Sequence, residues 1–253
     1  YTSVRYSPDM VRVMYCQFGI LIDMGGKRTL NQDFFKNWTP EMAYVLGYFA
    51  ADGSMLKNSR GGYYIEFTST DRILLEHVKN SAGANQKISK RVRDARDKPV
   101  WKTTYRIQIG SKEWFDSLTM FGFTQHKSKS LRFPQVPAEV LGSFVRGYFD
   151  GDGCVYFGEH FSKWHGRKVW VFTTIFTSGC RDFLEVLHEK LKKQGVLGGR
   201  IGTKKRGYEL VLSRHDSLAL YRLMYHTAKV ARLYLPRKRD KLEKAIQVLG
   251  LDK

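Results

Sequence analysis

Hydrophobic and polar positions change period several times along the chain, and each change marks an element boundary. The runs "TPEMAYVLGYFAADG" (Thr39 to Gly53) and "PAEVLGSFVRGYFDGDG" (Pro137 to Gly153) carry apolar residues at helical spacing. Pro40 and Pro137 suit the first turn of a helix, where a missing N–H is harmless. After each Asp-Gly the pattern turns strand-like. "GSMLKNSRGGYYIEFTST" predicts a hairpin turning near Gly61-Gly62, and "GCVYFGEHFSKWHGRKVWVFTTIFTS" a longer one turning near His165-Gly166. Helical patterns follow in "DRILLEHVK" and "RDFLEVLHEKLKK". A second strand pair comes next in each half: "QKISKRVRD" with "WKTTYRIQIG", then "GGRIGTKKRGYELVLS" with a tight turn over Lys204 to Gly207. Helices over about 112–121 and 215–225 complete the order helix, hairpin, helix, hairpin, helix, twice.

The halves also share their words. "GYFAADG" begins at Gly47 and "GYFDGDG" at Gly147, and the two differ at only two positions. Both long hairpins end in Phe-Thr-Ser, and Lys127, Leu131 and Pro134 match Lys229, Leu233 and Pro236 at an offset of 102. This is an internal duplication, with too few copies for a solenoid. Small residues recur every four positions in both motif helices: Ala43, Gly47 and Ala51, then Ser143, Gly147 and Gly151. That spacing leaves one helix face nearly bare, so two such faces can pack unusually close. Glycine inside a helix costs about 1 kcal/mol relative to alanine, so Gly47 and Gly147 call for a packing reason. The reading divides the chain into an extension over 1–38, a first repeat over 39–134 and a second over 135–253. Within the extension, "SPDMVRVMYCQFGILI" has the pattern of a helix beginning at Ser7-Pro8.

Strand alternation sorts side chains by face. In "WKTTYRIQIG" it buries Trp101, Thr103, Tyr105, Ile107 and Ile109 and exposes Lys102, Thr104, Arg106 and Gln108. In "QKISKRVRD", Lys87, Ser89, Arg91 and Arg93 oppose Ile88 and Val92. Tyr64, Glu66 and Thr68 in the first hairpin, and Tyr156, His160 and Ser162 in the third, join the polar set by the same rule. Lys57 and Arg60 at the first turn, with Arg200, Lys204, Lys205 and Arg206 around the last hairpin, extend it. "KVWVFTTIF" has no clean polar face and is left unassigned. Composition gives these faces a partner. The chain of 253 residues holds 43 Lys+Arg against 24 Asp+Glu, a net charge of +19 with a pI near 9.8. Such a balance points to a polyanion. Basic, Gln- and Thr-bearing strands suit phosphate and base-edge contacts in a major groove. No apolar run has membrane-spanning length and no charge cluster sits beside an apolar anchor, which argues against a membrane role. Nothing resembles a signal peptide. Three cysteines (Cys16, Cys154, Cys180) without zinc spacing fit free thiols in a reducing, intracellular compartment.

With the duplication in view, the chain resembles the single-chain LAGLIDADG homing endonucleases. The two nine-residue copies of the motif are "VLGYFAADG" (Val45 to Gly53) and "VRGYFDGDG" (Val145 to Gly153), and the likeness extends over roughly 38–250. It implies an α+β fold of two tandem αββαββα repeats related by pseudo-twofold symmetry. These would pack through the motif helices, and their antiparallel sheets would form a DNA-binding saddle. It also implies that Asp52 and Asp152 meet at the helix ends as catalytic acids. The same residues would hold Mg²⁺ together with the carbonyls of Ala51 and Gly151; Mn²⁺ would substitute, and Ca²⁺ would bind without cleavage. Hard divalent cations favour such oxygen ligands, and paired carboxylates that repel one another call for a shared proton or cation. Lys127 and Lys229 are the matching basic candidates for polarising phosphate or positioning water, with Lys129 as an alternative. The first copy departs from the pattern at Ala50, where Asp150 keeps an aspartate, which bears on packing at the helix end.

The function expected is that of a monomeric, site-specific endonuclease of intron homing, making a staggered double-strand cut in a long DNA target. Two alternatives use the same scaffold. One is a maturase with intron RNA as partner, and the other is a DNA-binding regulator without catalysis. Retention of both Asp52 and Asp152 favours the nuclease. An intein-embedded nuclease is disfavoured by the lack of a leading Cys or Ser and of a closing His-Asn.

Overall fold

The computed structural model describes residues 28–92, 103–125, 127, 130–226 and 232–251. The N-terminal helix expected from Ser7, together with Trp101, lies outside them. The first half runs α1 (Pro40–Asp52), β1 (Gly53–Lys57), β2 (Tyr63–Ser69), α2 (Arg72–Ser81), β3 (Ser89–Arg91), β4 (Thr104–Gly110) and α3 (Lys112–Met120). The second runs α4 (Ala138–Asp152), β5 (Gly153–Ser162), β6 (Arg167–Ser178), α5 (Arg181–Lys192), β7 (Arg200–Lys204), β8 (Gly207–Leu212), α6 (Arg214–Tyr225) and α7 (Pro236–Val248). Two antiparallel four-stranded sheets result, ordered β1-β2-β4-β3 and β5-β6-β8-β7. The sheet order repeats in the second half, as the duplication requires.

Local chemistry sets the ends of the two central helices. Thr39 caps α1, its hydroxyl accepting from the Met42 N–H at 3.1 Å, with Pro40 in the first turn. Both helices pass directly into a strand at Gly53 and Gly153. A Cβ there would lie 2.1 Å from the Phe49 ring and 2.2 Å from the Phe149 ring, so only glycine permits the switch. Met42 to Ala50 and Val140 to Asp150 are buried all round, as expected of helices enclosed by both halves. Ile65, Phe67, Ile107 and Ile109 form the core face of the first sheet, backed by Leu74, Leu75 and Val78 of α2 and by Trp114 and Leu118 of α3. Phe172, Phe176, Leu210 and Leu212 do so for the second, backed by Phe183, Leu184, Leu187 and Leu191 of α5.

Three details depart from the sequence pattern. Val92, expected on the core face, is 68% exposed, because pairing of β3 with β4 stops at Arg91. The helix α7 closes the second repeat, and among the described residues no α-helix stands at the matching place between α3 and α4. Its residues Leu242, Ala245 and Ile246 are buried, so it belongs to the core. The third departure is a polar network centred on Arg146 and Asp150 of α4, where α1 has Leu46 and Ala50. Arg146 is fully buried and donates to the carbonyls of Met224 and Leu233, the latter at 2.8 Å, over the rings of Tyr44 and Tyr225. The Asp150 carboxylate accepts the Tyr44 hydroxyl at 2.7 Å and the Leu235 N–H at 2.9 Å. It therefore ties α1 of one half to the segment leading into α7 of the other. Removing one partner of a buried bond exposes the other's desolvation cost, about 1–3 kcal/mol. Tyr44→Phe is accordingly expected to lower stability by about 1–3 kcal/mol in urea titrations. No change would show that water satisfies Asp150 instead.

Candidate active site and nucleic-acid interface

The small-residue faces of α1 and α4 meet at backbone contact. A Cβ on Gly47 would stand 2.0 Å from the Phe144 carbonyl oxygen, and one on Gly147 2.0 Å from that of Tyr44. Further along, a Cβ on Gly151 would meet the Ala51 Cβ at 2.4 Å and Asp52 Oδ2 at 3.3 Å. The first two contacts are reciprocal under exchange of the halves, which is the signature of a twofold axis between the helices. The axis runs past the helix C-termini, where Asp52 and Asp152 emerge.

Electrostatics register that closeness. Burial, then repulsion from Asp152, pushes the Asp52 carboxyl up to about 6. Burial raises Asp152 as well, opposed by Lys127, Lys238 and Lys204. Lys127 Nζ donates to the carbonyls of Ala50 and Ala51 at 2.7 and 3.3 Å. Lys238 Nζ, from the first turn of α7, donates to those of Phe149, Asp150 and Gly151 at 2.6, 2.8 and 3.3 Å. The two lysines thus cap the C-terminal carbonyls of their helices. Burial lowers both ammonium groups to about 8, and both aspartates pull them back up. Two carboxylates and two ammonium groups therefore share one field at the axis.

Lys127 stands where the sequence places it, beside the acids. Lys229 lies outside the described residues, as do Lys129, Arg93 and Lys102. The position related to Lys127 by the twofold is held by Lys238, which the sequence comparison missed. Alignment at an offset of 102 pairs Lys127 with Lys229, yet the symmetric ammonium arrives at an offset of 111, after Leu235-Pro236. The only sequence signal for it was a lysine in the first turn of a proline-initiated helix.

Strand register gathers the other candidates. On the first sheet, Glu66 faces Ser54 and Gln108, Thr68 faces Arg106, and Ser89 and Arg91 pair with Arg106 and Thr104. All lie opposite the core face, Tyr64 among them, and Glu66 is ion-paired to Arg106. Thr68 and Thr104 also line a cleft of about 270 Å³ with Asp52, Asp150, Gly151 and Arg237, so this face runs directly into the acid site. Lys57, Arg60 and Lys87 are exposed at its margins. On the second sheet, Tyr156, His160 and Ser162 share the open face, with Tyr156 hydrogen-bonded to His160. Arg200 and Lys204 lie on the outer strand, and Lys205 and Arg206 form its turn.

Residues 39–118 match the family model of the LAGLIDADG-like domain. Most of the chain superposes on solved meganucleases. The homing endonuclease I-WcaI bound to its DNA recognition sequence aligns with a TM-score of 0.56 at 17% identity, covering 88% of this chain and 96% of that one. This is the LAGLIDADG meganuclease fold. I-AabMI bound to uncleaved DNA gives 0.57 at 14% identity over 85% and 91% of the two chains. I-SmaMI bound to uncleaved DNA in the presence of calcium ions gives 0.55 at 15% over 85% and 93%. A curated relative, the DNA-directed RNA polymerase subunit Rpo1C of Methanocaldococcus jannaschii, is 25% identical over 116 residues. The match takes in 46% of this chain but only 13% of that subunit. On the LAGLIDADG frame, Asp52 and Asp152 are the last acidic residues of the two motifs.

Proposed function

We propose that the protein is a site-specific, divalent-metal-dependent DNA endonuclease that cuts both strands of a long duplex with a stagger. The observation that carries this is the reciprocal helix crossing, which sets two repelling carboxylates and two buried lysines on one axis between two open sheet faces. Further support comes from the DNA-bound state of the I-WcaI and I-AabMI structures with the same fold.

The donor set fits a hard cation. Among the described residues no cluster of three or more His, Cys, Asp or Glu side chains is gathered for a metal. Asp52 and Asp152 would hold Mg²⁺ with the main-chain oxygens of Ala51 and Gly151, DNA phosphate completing the shell. A divalent cation bound there supplies positive charge to polarise phosphate oxygens and to acidify water. The protein's own part is placement. Asp52 and Asp152 would stand on either side of the axis, one for each strand, as the anionic ligands of the cation. Lys127 and Lys238 lock the helix ends and hold positive charge where the phosphate would sit. The open sheet faces bind the flanking duplex, fixing which phosphates reach the axis.

The test is selection from a randomised duplex library with Mg²⁺, beside Ca²⁺ and EDTA. One long site, cut on both strands with Mg²⁺, bound but uncut with Ca²⁺ and untouched with EDTA, is expected. Binding without cutting in every condition would refute catalysis and turn the search to a DNA-binding regulator. Preference for intron RNA over all duplexes would favour a maturase.

A further inference from the structure

The two open sheet faces are matched in register but differ in chemistry along one row. In the first sheet one row across the strands reads Ser54, Glu66, Gln108. The same row of the second sheet reads Cys154, Ile175, Val211, closed at its edge by Arg200. Every side chain of the first row can accept a hydrogen bond, and Glu66 is held in place by Arg106. Ile175 and Val211 can neither donate nor accept. Along β6 the same face carries Thr173 and then Val171 and Val169, so three of its four residues from Val169 to Ile175 are aliphatic. None of these four belongs to the core, which takes the alternate residues Phe172, Thr174, Phe176 and Leu210. All four remain partly solvent-accessible.

We infer that the second half of the protein reads its half-site through thymine 5-methyl groups, whereas the first half reads through hydrogen bonds. The inference rests on the duplex-binding reading above. Branched aliphatics pressed against a major-groove edge bearing only donors and acceptors would leave those atoms desolvated and unpaired. Thymine is the one base that offers an apolar methyl in that groove. The surroundings suit DNA better than an apolar protein partner. Arg200 and Lys204 on the outer strand and Arg167 at the hairpin end flank the aliphatic strip with positive charge. That arrangement matches phosphate rails on either side of a groove. The net charge of +19 points the same way. Sequence alternation could not show this, since "KVWVFTTIF" has no polar face. Its register against β5 and β8 was needed to show that Val169, Val171 and Ile175 share the non-core face, with Thr173 among them.

The experiment begins with a duplex selected by binding in Ca²⁺, so that it does not depend on cleavage. Selection is repeated with the double variant Ile175→Gln and Val211→Gln. The half-site whose bases change is the one facing the second sheet. Synthetic duplexes of the parent sequence then carry deoxyuridine for thymidine in one half-site at a time. Thymines are expected in the half-site that the variant alters. Loss of each contacted methyl should weaken binding there about two- to fourfold, as for burial of one methylene-sized group. The same replacement in the other half should change binding by less than the error. Equal sensitivity of both halves, insensitivity of both, or a variant that selects the parent's bases would overturn the inference while leaving duplex binding intact. Failure to select any duplex would overturn it together with the binding reading.

Discussion

Gly147→Ala is expected to destabilise the protein by about 4 kcal/mol or more, a loss reserved for severe core lesions. Two effects oppose each other. Alanine is the better helix former by about 1 kcal/mol. Against this, the new methyl would stand 2.0 Å from the Tyr44 carbonyl oxygen and 2.9 Å from the Tyr48 nitrogen. Both atoms are backbone, inside a helix buried on every side, so no rotamer change relieves the clash. The helices must separate, and separation strips packing from Tyr44, Tyr48, Phe144 and Tyr148, all essentially inaccessible to solvent. Overpacking against movable side chains costs about 1–3 kcal/mol, and immovable backbone lies above that range. Gly47→Ala should behave alike through Phe144. Gly202→Ala is the control, because a Cβ there meets nothing within 4 Å. It should change stability by no more than about 0.5 kcal/mol. Urea unfolding followed by circular dichroism measures all three. Near-wild-type stability of Gly147→Ala would mean that the helices are not in backbone contact. A folded but separated variant should still lose cleavage, since misplacement by about 1 Å can cost 100-fold in rate.

The same glycines show what the chain discloses by itself. Repetition of a four-residue spacing at Gly47 and Gly147 announced close helix packing, because no other demand places glycine twice at matching helix positions. Alternation disclosed the polar face of β2 and β4, since one residue in two is apolar along both. Register was not legible there, and register is what sets Glu66 beside Gln108 and Ile175 beside Val211. Lys238 escaped for another reason. The two halves use different chain routes to deliver one ammonium, a loop at Lys127 and the helix α7 at Lys238, so an equal offset does not find the second. The Arg146–Asp150–Tyr44 network was equally hidden, because one half has Ala50 where the other has Asp150. Single-copy features lack the repetition that made the rest readable.

Asp52→Asn is expected to abolish cleavage and, in the same protein without metal, to raise stability at neutral pH. The Asp52 carboxyl titrates at about 6 when folded and at the ordinary 3.8 when exposed, burial being the larger cause and Asp152 the next. The unfolded chain therefore releases its proton first. Folding stability falls as pH rises from about 4 to 6 and stays reduced above that, by about 3 kcal/mol. Lys127 and Lys238 oppose the shift without cancelling it. Asparagine keeps the shape and removes the charge, so the variant should melt higher than the parent at pH 7.5, and the difference should vanish near pH 4. Cleavage should drop at least about 100-fold, the scale for losing one preorganised charge-stabilising group. DNA binding in Ca²⁺ should persist through the sheets. Adding Mg²⁺ should stabilise the parent more than the variant, because a ligand stabilises only the state that binds it. A variant less stable than the parent at pH 7.5 would show that the lysines outweigh the repulsion, and that the acid pair is not strained. Cleavage at the parental rate would remove Asp52 from the chemistry altogether. The expected pair of results would locate the strain and the catalysis in the same carboxylate. A charge held at a cost in the free protein then becomes favourable only when a cation and a phosphate arrive to share it.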